Sequence, residues 1–336
     1  MSDTARMALT TRTPSFRCRY LAWAAGAVLA SALLGLAPMA PPAYAFTGGN
    51  HERITREALD GFEPVSLDLL ANAKSGAIVA DDQGPYFDLG PMHCDNADFL
   101  QSPPGAAPYP RTREQATDEL LACVGSSVAR FKRALSLADG LVDPDGRVRA
   151  NQVDLFAPCD FDDSDRGTAK CNVLEHLGRG WHPIEDFYSH SNYADEHDPT
   201  RPVGVTNPVG LHRTAVAPFF DIRRYSTLGT NAWRAQAARL IPRDLTTGCY
   251  KDFQSDYTLA DCTGRVMHDE TLAKDAAGSS RSLIGDNFNK ARTLATRDIA
   301  RQWDLFRAAL LERYAAKNRG SVMVCAITHD HPDRDC

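Results

Sequence analysis

Apolar residues recur at intervals of three and four along several stretches of the chain, the spacing of one face of an α-helix. In residues 51–62, Ile54, Ala58 and Leu59 fall on one side. In residues 114–138 the same rule places Leu120, Val124, Val128, Phe131 and Leu135 together, and in 287–317 it does so for Phe288, Ala291, Ala295, Ile299, Trp303, Phe306 and Leu310. Each stretch predicts a helix with one core-facing side. Pro- and Gly-rich connections at 101–111 and 199–208 and an acidic turn at 160–167 lie between them. No run of alternating β-branched residues appears, so the expected architecture is mostly α, a single multi-helix domain.

The first 45 residues follow another pattern. Arg17 and Arg19 precede an apolar stretch over 21–37, and Ala43-Tyr44-Ala45 places small residues where a signal peptidase cleaves. That apolar core is short for a bilayer and runs into Pro38, Pro41 and Pro42, which favours a cleaved secretory signal over an anchor helix. The mature chain is then expected to begin at Phe46, with an all-α domain over 46–320, a tail over 321–336, and an extracellular location.

Composition narrows the function. Of 336 residues, 43% are hydrophobic and 24% charged, as in a globular protein and unlike a disordered or collagenous one. Removing 1–45 takes Arg6, Arg12, Arg17, Arg19 and Asp3 and leaves 33 basic against 42 acidic residues, a balance of −9. Such a surface repels a phosphate polymer and argues against generic nucleic-acid binding. Cys18 leaves with the signal. The remaining eight of nine cysteines form an even set, which in an exported chain suggests disulfide-stapled loops. The simplest pairing is between sequence neighbours: Cys94 with Cys123, Cys159 with Cys171, Cys249 with Cys262, and Cys325 with Cys336. No CxxC occurs, so a cysteine zinc site is not expected. The run Asp160, Asp162, Asp163, Asp165 lacks the glycine and final glutamate of an EF-hand and reads as a solvated turn.

Metal chemistry has the strongest signal. In residues 174–193, His182, Asp186 and His190 are spaced by four, and each such step on a helix advances only about 40° past a full turn. Two imidazoles and a carboxylate therefore share one face, a donor set for a divalent metal. Pro183 interrupts the backbone donors and either kinks the helix or marks its first turn. Upstream, Asp81 or Asp82 with His93 supplies a loop-borne carboxylate and imidazole. A free amine at Phe46, with Gly48 and Gly49 letting the chain fold back toward His51, would add a third piece. The chain has no GxSxG or GxxxxGK motif to support a rival chemistry.

The order Phe46-Thr47-Gly48-Gly49-Asn50-His51, then AIVAD ending at Asp81, then Met92-His93, then LGRGWH ending at His182 with Asp186 and His190 resembles the secreted zinc-dependent phospholipase C and S1/P1 nuclease superfamily. The string WHPIEDFYSHSNY is similar to its Het-C-like branch. The resemblance implies an all-α phospholipase C/P1 nuclease-like fold and two or three zinc ions. Phe46 and His51 would hold one ion and Asp81, His93 and His182 a second, with Asp186 bridging them. His190 would belong to a third. That family places another histidine with an acidic residue four later at the third ion. No histidine here has that partner, and the gap between Asp186 and His190 is shorter. His268 in VMHDETLAKD, with Asp275, is the substitute expectation.

On this reading the reaction is hydrolysis of a phosphodiester, with Asp81 also accepting the proton of the attacking water. The acidic balance favours a phospholipid headgroup, and Tyr86, Phe87, Trp181 and Tyr188 are candidates for an aromatic rim that receives a choline-like cation. Contact with a membrane would come from exposed loops. The alternative is a secreted Het-C-like binding protein with a degenerate or structural metal site.

Overall fold

The computed structural model describes residues 46–87, 89–99, 111–155, 158–203, 207–248, 274–275, 277–279 and 281–336. They form ten α-helices: α1 (Gly48–Ala58), α2 (Pro64–Ala71), α3 (Arg113–Leu137), α4 (Ala150–Val153), α5 (Ala169–His190), α6 (Ile222–Ser226), α7 (Thr230–Ala238), α8 (Asn287–Arg313), α9 (Arg319–Thr328) and α10 (Pro332–Asp335). Among the described residues there are two isolated bridges, Val142 with Val148 and Ser191 with Thr247, and no strand. No helix among them is long and apolar enough to cross a membrane.

The three periodic stretches are α1, α3 and α8. Thr112 caps α3 by accepting from the Gln115 amide while the Gln115 side chain accepts from the Thr112 amide, which satisfies two donors that a helix start leaves open. The apolar faces meet in one core, where Phe131 packs edge-on against Phe306 and Phe62 against Trp303. Residues 321–336, expected as a tail, instead carry most of α9 and all of α10. Met323, Ala326 and Ile327 of α9 are fully buried.

At the centre runs α5, all of whose 22 residues are buried. A helix wrapped on every side must find partners for its polar groups inside the protein. Here α3 and α8 pack on it, as does the 3-10 turn Ala77–Asp82. Pro183 lies inside α5 and neither starts nor ends it. Three of the four expected cysteine pairs are present: Cys94–Cys123, Cys159–Cys171 and Cys325–Cys336, with Cα separations of 5.1, 5.3 and 5.8 Å. Cys249 and Cys262 lie outside the described residues.

The acidic turn is not merely solvated. Asp163 pairs with Arg130 of α3, and Asp165 pairs with Arg133 of α3 and with His176 of α5 (2.8 Å), so the turn is pinned across the two helices.

Candidate metal centre

Three segments bring the donors together. His51 comes from the first turn of α1, His93 from the loop after the turn Gly90–Met92, and His182, Asp186 and His190 from successive turns of α5. Gly48 starts α1 and does not form a loose fold-back, and a Cβ there would lie 2.3 Å from the Ala73 carbonyl oxygen, so its lack of a side chain lets α1 seat closely. Phe46 is fully buried with its ring 6.0 Å from that of His51 and 6.2 Å from Phe288.

Asp186 is the hub. Its Oδ1 lies 3.2 Å from His51 Nε2, while its Oδ2 lies 2.8 Å from His93 Nδ1 and 3.0 Å from His182 Nε2. The two imidazole nitrogens on the Oδ2 side are themselves 3.1 Å apart. The donor atoms of His51, His182 and Asp186 all fall within 4.8 Å of one another, as do those of Asp82, His93 and His182. A third group within that distance, Cys325, His329 and Cys336, has its two sulfurs joined to each other.

The loop carboxylate facing the cluster is Asp82, whose Oδ1 is 3.4 Å from His182 Nε2. Asp81, expected as ligand and proton acceptor, has its Oδ1 paired with the Arg179 guanidinium. Successive residues of a 3-10 turn point about a third of a turn apart, so only one of two adjacent aspartates can face α5 at His182. Arg179 also donates to Glu175 Oε1 (2.9 Å) and to the Phe161 carbonyl (2.7 Å), which fixes the guanidinium that claims Asp81.

His190 stands apart from the first cluster. Its Nδ1 is 3.0 Å from Asp95 Oδ1 and 3.0 Å from the His93 carbonyl, and its Nε2 is 3.6 Å from Asp275 Oδ1. Asp275, expected beside His268, thus lies next to His190. Ser189 Oγ donates to Asp275 Oδ1 at 2.7 Å, and Asn50 Nδ2 to its carbonyl at 2.7 Å. His268 lies outside the described residues.

Electrostatics match this packing. Burial would lower the His51 pKa, but the negative charges of Asp186 and Glu185 hold it well above an ordinary histidine's. Burial would raise that of Asp186, but His182, His190 and His51 hold it well below the usual carboxylate range. His182 and His190 are likewise raised against burial, by Asp186 with Asp82 and by Asp95 with Asp186 respectively. Sequestered carboxylates and imidazoles thus demand positive charge, which protons or a divalent cation can provide.

The donor set fits a metal on a separate ground. His51 Nε2 and Asp186 Oδ1 are buried, make no hydrogen bond, and face each other. Nitrogen and oxygen donors in this combination suit zinc or a similar divalent ion.

Two groups escaped the sequence reading. Glu185 bonds His51 Nδ1 at 2.6 Å, and Asp95 contacts His190. Glu185 falls three residues after His182, so helical spacing already placed it near the same face; Asp95, two residues after His93 on a loop, carried no comparable signal.

The aromatic rim is corrected. Trp181 and Tyr188 are 3% and 0% exposed, and the Tyr188 hydroxyl donates to Asp298 Oδ2 at 2.6 Å, because both occupy flanks of α5 that pack the core. The Tyr86 ring has the guanidiniums of Arg179 and Arg130 within 5.0 and 5.7 Å of its centroid, so cations of the protein already occupy its surroundings.

No family model, curated protein or solved structure matches the chain.

Proposed function

We propose that this chain is a secreted zinc-dependent phosphodiester hydrolase of the phospholipase C kind. The observation that carries the reading is the placement of Asp186, one oxygen toward His51 and the other toward His93 and His182. A carboxylate with imidazoles on both oxygens suits a bridge between two ions. The motif order shared with the phospholipase C and S1/P1 nuclease superfamily, and the cysteine pairs typical of an oxidising compartment, support it further.

His51 would hold one ion. His93, His182 and Asp82 would hold its neighbour, and His190 with Asp275 would be the start of a third site. Bound zinc supplies Lewis acidity toward a phosphoryl oxygen and makes water more acidic. The chain's own contribution is to fix the donors, exclude bulk water around Asp186, and offer Asp82 as the proton acceptor in place of Asp81. Asp82, at 18% exposure, is the member of the cluster open to solvent, so a phosphodiester would approach on its side.

A second reading has an observation in its favour. His51, His182 and Asp186 are wholly buried and His93 is 2% exposed, which is how a structural metal in a binding protein would sit. One experiment separates them. Zinc content is measured for the purified protein and for Asp186→Ala, together with hydrolysis of bis(p-nitrophenyl) phosphate and phosphatidylcholine before and after chelation. The hydrolase reading expects at least two zinc ions, chelator-sensitive turnover, and loss of more than one ion in D186A. One tightly held ion with no turnover supports the structural-metal reading, and no bound ion overturns both.

A further inference from the structure

We propose that Glu185 is the positioning residue for His51, fixing which ring nitrogen is turned toward Asp186; the inference rests on the metal-holding role given to that pair above. Glu185 is fully buried, and each of its oxygens is engaged by α1. Its Oε2 accepts from His51 Nδ1 at 2.6 Å and its Oε1 accepts from Thr55 Oγ1 at 2.9 Å. His51 and Thr55 are one turn apart, so a single carboxylate on α5 grips one stripe of α1. Its oxygens are directed to that stripe, and it acts on the cluster through His51.

An imidazole with a carboxylate on Nδ1 keeps its proton there and presents Nε2 as the donor nitrogen. In this protein Nε2 is the atom 3.2 Å from Asp186 Oδ1. Without the Glu185 contact the His51 ring can turn about its terminal torsion or exchange its proton between nitrogens, and either change withdraws the lone pair from the metal. Asp186, the next residue of α5, carries the opposite face of the same arrangement. Two adjacent residues thus divide the work, one orienting the ligand and the other sharing the ion.

A carboxylate that only pinned α1 to α5 would produce the same two contacts, so the test must separate the two roles. Zinc affinity of the full-length metal-stripped protein is measured by competition with a chromophoric chelator. Wild type is compared with Glu185→Gln, Glu185→Asp and Thr55→Val, and thermal unfolding of each is followed alongside. Thr55→Val removes the pin on Oε1 and leaves the His51 contact. The positioning role expects E185Q and E185D to weaken one zinc site about 10- to 100-fold while T55V loses stability but holds zinc within about threefold. If E185Q misfolds, E185D, which keeps the charge and shortens the reach, carries the comparison. Zinc affinity in the Glu185 variants equal to wild type overturns the proposal, and so does an equal loss in T55V. A wild type that binds no zinc at all instead overturns the metal reading on which it stands.

Discussion

The Lys170 amine, buried in the first turn of α5, donates to Ser66 Oγ at 2.8 Å and to the His329 carbonyl. Burial pushes its pKa down to about 8, with Asp330 and Glu63 pulling the other way. The folded chain therefore sheds this proton near pH 8 and the unfolded chain near 10.5. The cost of burying the charged amine is fully present below that window and is relieved as pH rises through it. Wild type should accordingly gain about 2 kcal/mol over Lys170→Met between pH 8 and pH 10. Urea midpoints at the two values test this, and a difference that stays flat contradicts the shift. At this scale much of the candidate site was legible. His182, Asp186 and His190 follow from spacing alone, and His51 and His93 from the motif order. The choice of Asp82 over Asp81 was not, because it depends on Arg179, 98 residues away in sequence from Asp81, claiming one of two adjacent carboxylates.

The turn Ala77–Asp82 reaches α5 through a glycine. A Cβ on Gly178 would stand 2.4 Å from the Ala77 carbonyl carbon and 2.6 Å from its oxygen, both backbone atoms that cannot rotate aside. Gly178 is one turn before His182, so the close approach it permits is what delivers Asp82 to the cluster. Gly178→Ala should cost about 1–3 kcal/mol through forced displacement of the turn. It should also weaken zinc at the Asp82, His93 and His182 group more than at His51. Thermal melts with zinc titration check both, and an unchanged affinity would mean that the turn does not need this contact. The long helices were readable because their apolar faces repeat over several turns. The central helix was harder to delimit, since it is buried all round and its polar residues break any two-sided pattern. Nor did periodicity reveal α9, whose apolar residues fall in a short segment beside a charged C-terminus.

Across the whole molecule, covalent links hold what the short loops cannot. Cys94–Cys123 joins the segment carrying His93 to α3 across 29 residues, and Cys94 and Asn96 both adopt left-handed backbone angles that ordinary residues avoid. Replacing both cysteines with alanine should lower stability by about 2–4 kcal/mol. His93 should then be the first donor to loosen, seen as loss of zinc at denaturant concentrations that leave the helical signal intact. Simultaneous loss of both signals would show that the loop has no independent freedom. Mostly helical architecture and three cysteine pairs followed from pattern and neighbour spacing, whereas the wrapping of α5 is a property of the packed chain that no local window contains.

That wrapping has a consequence for timing. Apart from Asp82, donors recruited from α1, the His93 loop and α5 are closed off behind the same helices that align them. A polypeptide that finishes collapsing before it meets an ion must open again for one to reach the buried donors beyond Asp82, so its uptake would be paced by breathing of the helical shell more than by encounter in solution. Which cation it carries would then be decided early, by whatever the compartment offers while the chain is still assembling.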